Sequence, residues 1–382
     1  MTKWGLRFAY LGGVALGLLL FASKFHPETG FTALLGLGER WEVPRAQALA
    51  DDGLVYHVHP DSGGYDGQFY ALIALDPSLQ DADLAEAIDA PAYRARRILL
   101  PALAFVLGAG EPAWVLTAYA LLNVGFWLLL AALLLHWLPP VSWENWTRWA
   151  LILFSMGVLE SVRLALTDLP SLVFMLGGLW LYEKNRLSTA AWTLPLVVFT
   201  KETGVIHALS YFSAGRAKGR WRWRWPWQII VALGTTVAAF GCWLIYLAQL
   251  FPTNLNAGGN LTLPFLGLAQ AVAEAFQGLA ADGFDDRFFF RLIAALGLLF
   301  QLGYLVLRPQ MGNALWRMGL IFGLLFLCLG EFVWWGYWAV SRVALPLTVA
   351  FCLLYRPQQN WTLYAGLLGS NLVMVHGLIR WL

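Results

Sequence analysis

The chain returns repeatedly to runs of about 18 or more apolar residues, the first being 5-GLRFAYLGGVALGLLLFA-22. Runs of that length are read as helices that cross a bilayer. Hydrophobic residues are 59% of the chain and charged residues only 13%. A soluble domain carries about a quarter charged residues, so the sequence describes an all-α polytopic membrane protein forming one integral membrane domain over 1–382. Several of the 21 Trp lie at segment ends, where indole rings favour the headgroup region. A net charge of +2 gives no basis for a nucleic-acid partner. Cys242, Cys328 and Cys352 fall inside apolar runs and read as small core residues, with no metal or disulfide spacing.

About eleven spans follow from the hydropathy pattern, roughly 5–22, 113–137, 147–162, 169–183, 188–200, 203–213, 229–250, 288–307, 315–333, 338–355 and 361–380. The first lacks a small residue where a leader would be cleaved and reads as a signal anchor. With Lys3 and Arg7 cytoplasmic, alternation puts Arg148, Lys184, Arg186, Arg308, Arg317 and Arg356 on the same side, as short basic loops require. The segment 220-RWRWRWPW-227 interleaves cations and indoles and reads as a lipid-interface anchor, because the next span begins at once. The runs 188–200 and 203–213 are too short to cross alone and meet at 201-KET-203; 98-ILLPALAFVLG-108 reads as re-entrant or interfacial. Two outer loops, 23–97 and 251–287, remain. The first holds one or two short surface helices over 76–97, and the second, with 254-NLNAGGNL-261, reads as mobile. There is no internal repeat, which counts against a secondary transporter.

Ionisable residues at membrane edges are costly and mark function. In this topology they gather on the outer side: Asp66, Glu160, Arg163, Asp168, Lys201, Glu202, Arg287, Arg291, Glu331 and Arg342. Either they are structural ion pairs or they line a polar cavity fed from the bilayer. In 63-GGYDGQFY-70 an acid sits among glycines that permit a bent backbone, with Tyr65, Phe69 and Tyr70 as faces for a sugar and Gln68 beside them. A turn explains the same composition. A carboxylate near cations suits a general base beside a phosphate site. His57 and His59 with Asp61 offer a weaker, alternative set of divalent-metal ligands.

The stretches 65-YDGQFYALIALDP-77, 93-YRARRILLPALAF-105, 167-TDLPSLVFMLGGLWLYEKNR-186 and 198-VFTKETGV-205 together resemble bacterial integral-membrane glycosyltransferases of the GT-C superfamily. The likeness in topology covers the chain; at the residue level it covers about 60–105 and 160–205. The resemblance implies transfer of a sugar from a polyprenyl-phosphate donor to a glycan, lipid or protein acceptor. It places the reaction at the periplasmic or extracellular face of a bacterial inner membrane, with inversion and without an obligatory cofactor. It implies Asp66 as catalytic base and Lys201, then Arg96, Arg97 or Arg163, as donor-phosphate ligands. Tyr65, Gln68, Phe69, Tyr70, Asp168, Glu202, Glu331 and Arg342 are the expected substrate contacts. Superfamily members often carry paired acids near the end of the first span; here 23-SKFHPETGF-31 offers Glu28 alone. A transporter or flippase of lipid-linked sugars, or a non-catalytic scaffold for cell-surface polymer assembly, are the alternatives.

Overall fold

The computed structural model describes residues 3–49, 53–217, 220–224, 226–252, 259–281, 285–356 and 360–381. Among them, four helices are long and apolar enough to cross a membrane: Trp4–Ala22, Pro112–Leu134, Trp227–Leu250 and Asp286–Leu307. Two bent pairs raise the number to six if each is one span. Tyr337–Val343 meets Leu345–Leu354 at 63°, and Trp361–Gly369 meets Val373–Ile379 at 46°. The protein is thus an all-α membrane protein, apart from one antiparallel ribbon pairing Ser213–Ala217 with Arg220–Arg224. The side chains of 220–225, which carry most of the expected interface anchor, lie outside the described residues, as do 254–258 of the second outer loop.

Local chemistry explains where helices start and break. Ser142, Asp285, Asn313 and Asn360 each accept a hydrogen bond from a backbone N–H in the first turn that follows. Pro346 opens the second half of the first bent pair, and proline has no N–H to continue the preceding ladder. The run expected to span 147–162 is two helices, Trp143–Leu153 and Met156–Arg163, parted at Ser155 in extended backbone. The expected span 203–213 is instead a tight 3₁₀ stretch, Glu202–Tyr211. Inside the second outer loop lies a further helix, Leu266–Ala281.

Packing is set by small residues against large rings. A Cβ on Gly13 would come within 2.8 Å of the Trp149 ring, and one on Gly17 would overlap Trp127. Glycine three or four residues apart lets a helix backbone approach its neighbour closely in lipid. The two indoles are buried and donate to backbone carbonyls, Trp127 to Leu153 and Trp149 to Ala131, both at 3.0 Å. Their polar edges are thereby satisfied inside an apolar core.

The two ends of the bundle differ in charge. At one end Arg148 donates to the carbonyls of Cys352 and Leu353, both at 2.7 Å, His136 pairs with Glu183 at 3.2 Å, and Arg308 and Arg356 line one depression. The helix Asp168–Glu183 runs away from this end for 16 residues, roughly 24 Å at the α-helical rise. Its far end, Asp168, lies with the other ionisable residues treated next. There too Lys24 Nζ reaches the Trp381 carbonyl at 3.0 Å, joining the end of the first span to the last helix.

A candidate active site built on a chain of ion pairs

The GGYDGQFY stretch folds as a turn leading straight into a helix. Gly64 has φ +71°, which side-chain-bearing residues rarely adopt. Tyr65 is extended, and the helix Asp66–Leu75 begins at the acid. A Cβ on Gly67 would collide with the backbone carbonyl of Leu164, so only glycine lets this helix lie against the end of Met156–Arg163. Asp66, Phe69 and Tyr70 fall three and four residues apart, on one helix face.

That face meets the arginines of the segment 93–97. Arg94 Nη1 pairs with Asp66 Oδ1 at 3.0 Å, and the same guanidinium grips Asp89 with Nε at 2.9 Å and Nη2 at 2.7 Å. Arg94 lies over the Phe69 ring at 5.1 Å. Burial works against the charge of Arg94, but the hydrogen bond to Asp89 and the Asp66 carboxylate hold its pKa above the ordinary arginine value. Arg97 donates to both carboxylate oxygens of Glu202, at 2.9 and 2.8 Å, and to the hydroxyls of Tyr70 at 2.6 Å and Tyr93 at 3.0 Å. Arg96 packs on Tyr93, 5.6 Å from the ring centre.

Lys201 and Glu202 occupy the tip of a helical hairpin. The helix Thr193–Thr200 climbs to Lys201, whose backbone is extended, and Glu202–Tyr211 comes back down. Tyr211 returns to within 3.5 Å of the Thr193 hydroxyl. A 3₁₀ run of this length is uncommon, and it turns the tip into the polar network. Lys201 forms an ion pair with Asp168, and Arg342 Nη1 pairs with the other Asp168 oxygen at 3.1 Å. Arg342 Nη2 donates to the Tyr65 hydroxyl at 2.8 Å, as does Trp338 Nε1 at 3.1 Å. A neighbouring knot joins Arg163 to buried Glu160 at 2.8 Å and Arg380 to the same carboxylate at 3.2 Å. Arg380 covers the Trp338 ring at 4.4 Å.

The expected residues therefore divide. Asp66, Tyr65, Phe69, Tyr70, Arg97, Asp168, Lys201, Glu202 and Arg342 belong to one connected set, with Arg163 beside it and Arg96 against its Tyr93 edge. Gln68, expected as a substrate contact, is buried and instead braces the loop. Its Oε1 accepts from Gly38 N at 3.1 Å and its Nε2 donates to Gly63 O at 3.0 Å. Glu331 is exposed on the turn after Gly330 and is not among the partners of the set. Arg94, Asp89, Tyr93, Trp338 and Arg380 complete the network but were not expected as site residues, while Glu160, expected among the outer-side charges, joins it through Arg163 and Arg380. The motif YRARR did carry the arginines, but which of them faces Asp66 depends on the turn after Pro91. His57 stacks on His26 with ring centres 4.9 Å apart and meets His59 edge-on at 4.8 Å. Among the described residues no group of three or more His, Cys, Asp or Glu is arranged to hold a metal ion.

Charge is unevenly shared across the network. Asp66 and Asp89 divide one cation, Arg94. Asp168 is shared by two, Lys201 and Arg342, and so is Glu160, by Arg163 and Arg380. Arg97 with Glu202, and Arg96 beside Tyr93, balance the acids near Asp66, whereas around Asp168 and Glu160 four cations meet two carboxylates. Near the cationic side, Thr167 Oγ1, Ser171 Oγ and Arg342 Nε are buried without a hydrogen-bond partner among the described residues. Such atoms call for an explanation, an absent ligand being one. The Asp66 side chain is 31% exposed, as is that of Asp89, against 6% for Asp168, so Asp66 is within reach of solvent or a substrate. No family model matches the chain, and no curated protein and no solved structure matches it.

Proposed function

We propose that the protein is a membrane-embedded glycosyltransferase. It moves a sugar from a polyprenyl-phosphate donor to an acceptor hydroxyl on a glycan, lipid or protein, inverting the anomeric configuration. The observation that carries this reading is a partly exposed carboxylate beside a cation-rich cluster: Asp66 lies next to Tyr65, and Tyr65 is held by Arg342, which with Lys201 shares Asp168. A general base beside an anion site is what glycosyl transfer from a lipid phosphate requires. The GT-C resemblance supports the same roles. On this reading the shorter and bent helices complete a bundle of about eleven partial or full crossings. The network then faces the periplasmic side of a bacterial inner membrane.

In the reaction, Asp66 accepts the proton of the acceptor hydroxyl, whose oxygen attacks the anomeric carbon. The bond from that carbon to the phosphate oxygen breaks, and its electron pair leaves with the lipid phosphate. Lys201 and Arg342 stabilise the charge that grows there, in a site already poor in water. The buried hydroxyls of Thr167 and Ser171 supply further donors. Arg94 fixes the Asp66 carboxylate through Oδ1, and Arg97 with Glu202 holds the hairpin tip in register. Phe69 and Tyr70 form the aromatic wall beneath.

The test is transfer in reconstituted liposomes, with a radiolabelled polyprenyl-phosphate sugar and a panel of acceptors. Wild type is expected to move or hydrolyse the label and Asp66→Asn is not. Label that crosses the bilayer still attached to its lipid identifies a flippase instead. No change in the label with any donor sinks the transferase reading.

A further inference from the structure

A second depression, of about 430 Å³, opens between the helices Leu266–Ala281 and Asp286–Leu307 and the turn at Trp335. We infer that it binds the phosphate group of a membrane lipid, through Arg287 and Arg291. Both arginines line it, one helical turn apart at the start of a candidate span. The Arg291 side chain is only 3% exposed; Nη1 pairs with Glu274 at 3.0 Å and Nη2 donates to the Trp335 carbonyl at 3.1 Å. Arg287 Nη2 donates to that same carbonyl at 3.1 Å. The Nε atoms of both guanidinium groups are buried without a hydrogen-bond partner among the described residues.

On the lining itself two arginines face one carboxylate. Glu274 is the carboxylate on the lining, and it is 46% exposed. Asp285 is engaged in capping the Arg287 N–H at 2.7 Å, and Asp286 pairs with His376 at 3.3 Å. Two planar forks with spare donors suit the oxygens of a phosphate ester. The surroundings suit a lipid as its carrier: Phe288 and Trp335 line the opening, Trp335 is exposed, and Arg287 lies over the Trp335 ring at 5.4 Å. An aromatic belt with arginines at a span end is where headgroups reside. This site has no residue in common with the Asp66 network, and the inference does not rest on the transferase reading.

The test follows thermal unfolding of the detergent-solubilised full chain during titration with dihexanoyl phosphatidylglycerol, inorganic phosphate or phosphate-free dihexanoylglycerol. A ligand that binds the folded state raises the midpoint by mass action. The phosphatidylglycerol is expected to do so and the phosphate-free lipid is not. Arg287→Gln should weaken the apparent affinity about tenfold, the scale of one lost charge-assisted hydrogen bond. Glu274→Gln removes the competing carboxylate and should tighten binding, a gain that a misfolded variant does not give. Binding of inorganic phosphate as well would show that the phosphate alone is read; binding of the lipid alone would show that the apolar rim contributes. Equal binding of the phosphate-free lipid, or unchanged affinity in both variants, overturns the inference.

Discussion

Asp66 and Asp168 are both ion-paired, yet their partners give them opposite expected behaviour. In Asp66→Asn, Arg94 keeps its two bonds to Asp89, so the fold should survive within about 1 kcal/mol while transfer is lost. In Asp168→Asn, buried Lys201 and Arg342 lose the carboxylate they share. Stripping a buried pair of one partner costs about 3–5 kcal/mol, so this variant should unfold at markedly lower temperature or denaturant. A residue-level pH effect belongs to His57. Burial, then the charges of His59 and His26, push its pKa below the ordinary 6.5. The unfolded chain therefore binds the proton more readily, so stability is full above pH 6.5 and falls as the pH drops below it. His57→Gln should flatten that slope in unfolding midpoints taken across the range. The sequence exposed these residues as unusual because charge is rare in so apolar a chain. Their pairing was not legible: Arg342 and Asp168 are 174 positions apart, and Arg97 and Glu202 are 105 apart. Only the folded bundle decides such partners. It also moves Gln68 from an expected substrate contact to an internal brace.

Among the elements, the long apolar helices follow directly from hydropathy, and Pro112–Leu134, Trp227–Leu250 and Asp286–Leu307 match expected spans within a few residues. Hydropathy failed where the backbone breaks, because it counts composition and is blind to the ladder. The parting at Ser155 and the 63° bend before Pro346 fall inside apolar stretches, whereas the break at Lys201 was legible as two short runs meeting at 201-KET-203. The glycines show how much depends on close approach. Gly17→Leu would drive a side chain into Trp127 and should destabilise the protein by about 1–3 kcal/mol through overpacking, read as a lower unfolding midpoint. Gly67→Ala meets a backbone carbonyl that cannot swing aside. It should displace the start of the Asp66 helix and lower transfer even where the protein still accumulates in the membrane.

At the scale of the whole molecule, the fold sorts charge along the bundle axis. Arg148, held by backbone carbonyls, marks one end, and the mixed network of ion pairs occupies the other. If the positive-inside reading holds, Asp61→Cys, beside the network, reacts with an impermeant maleimide from outside intact cells. Asn185→Cys, at the opposite end, reacts only after lysis; the reverse pattern inverts the orientation. The most direct measurement is single-turnover decay of a pre-bound, labelled polyprenyl-phosphate sugar, with wild type and Asp66→Asn at matched donor occupancy. A positioned general base contributes about 10²- to 10⁴-fold. The account predicts a fall of that size in the Asp66→Asn rate with donor binding unchanged, and equal rates in the two proteins would contradict it.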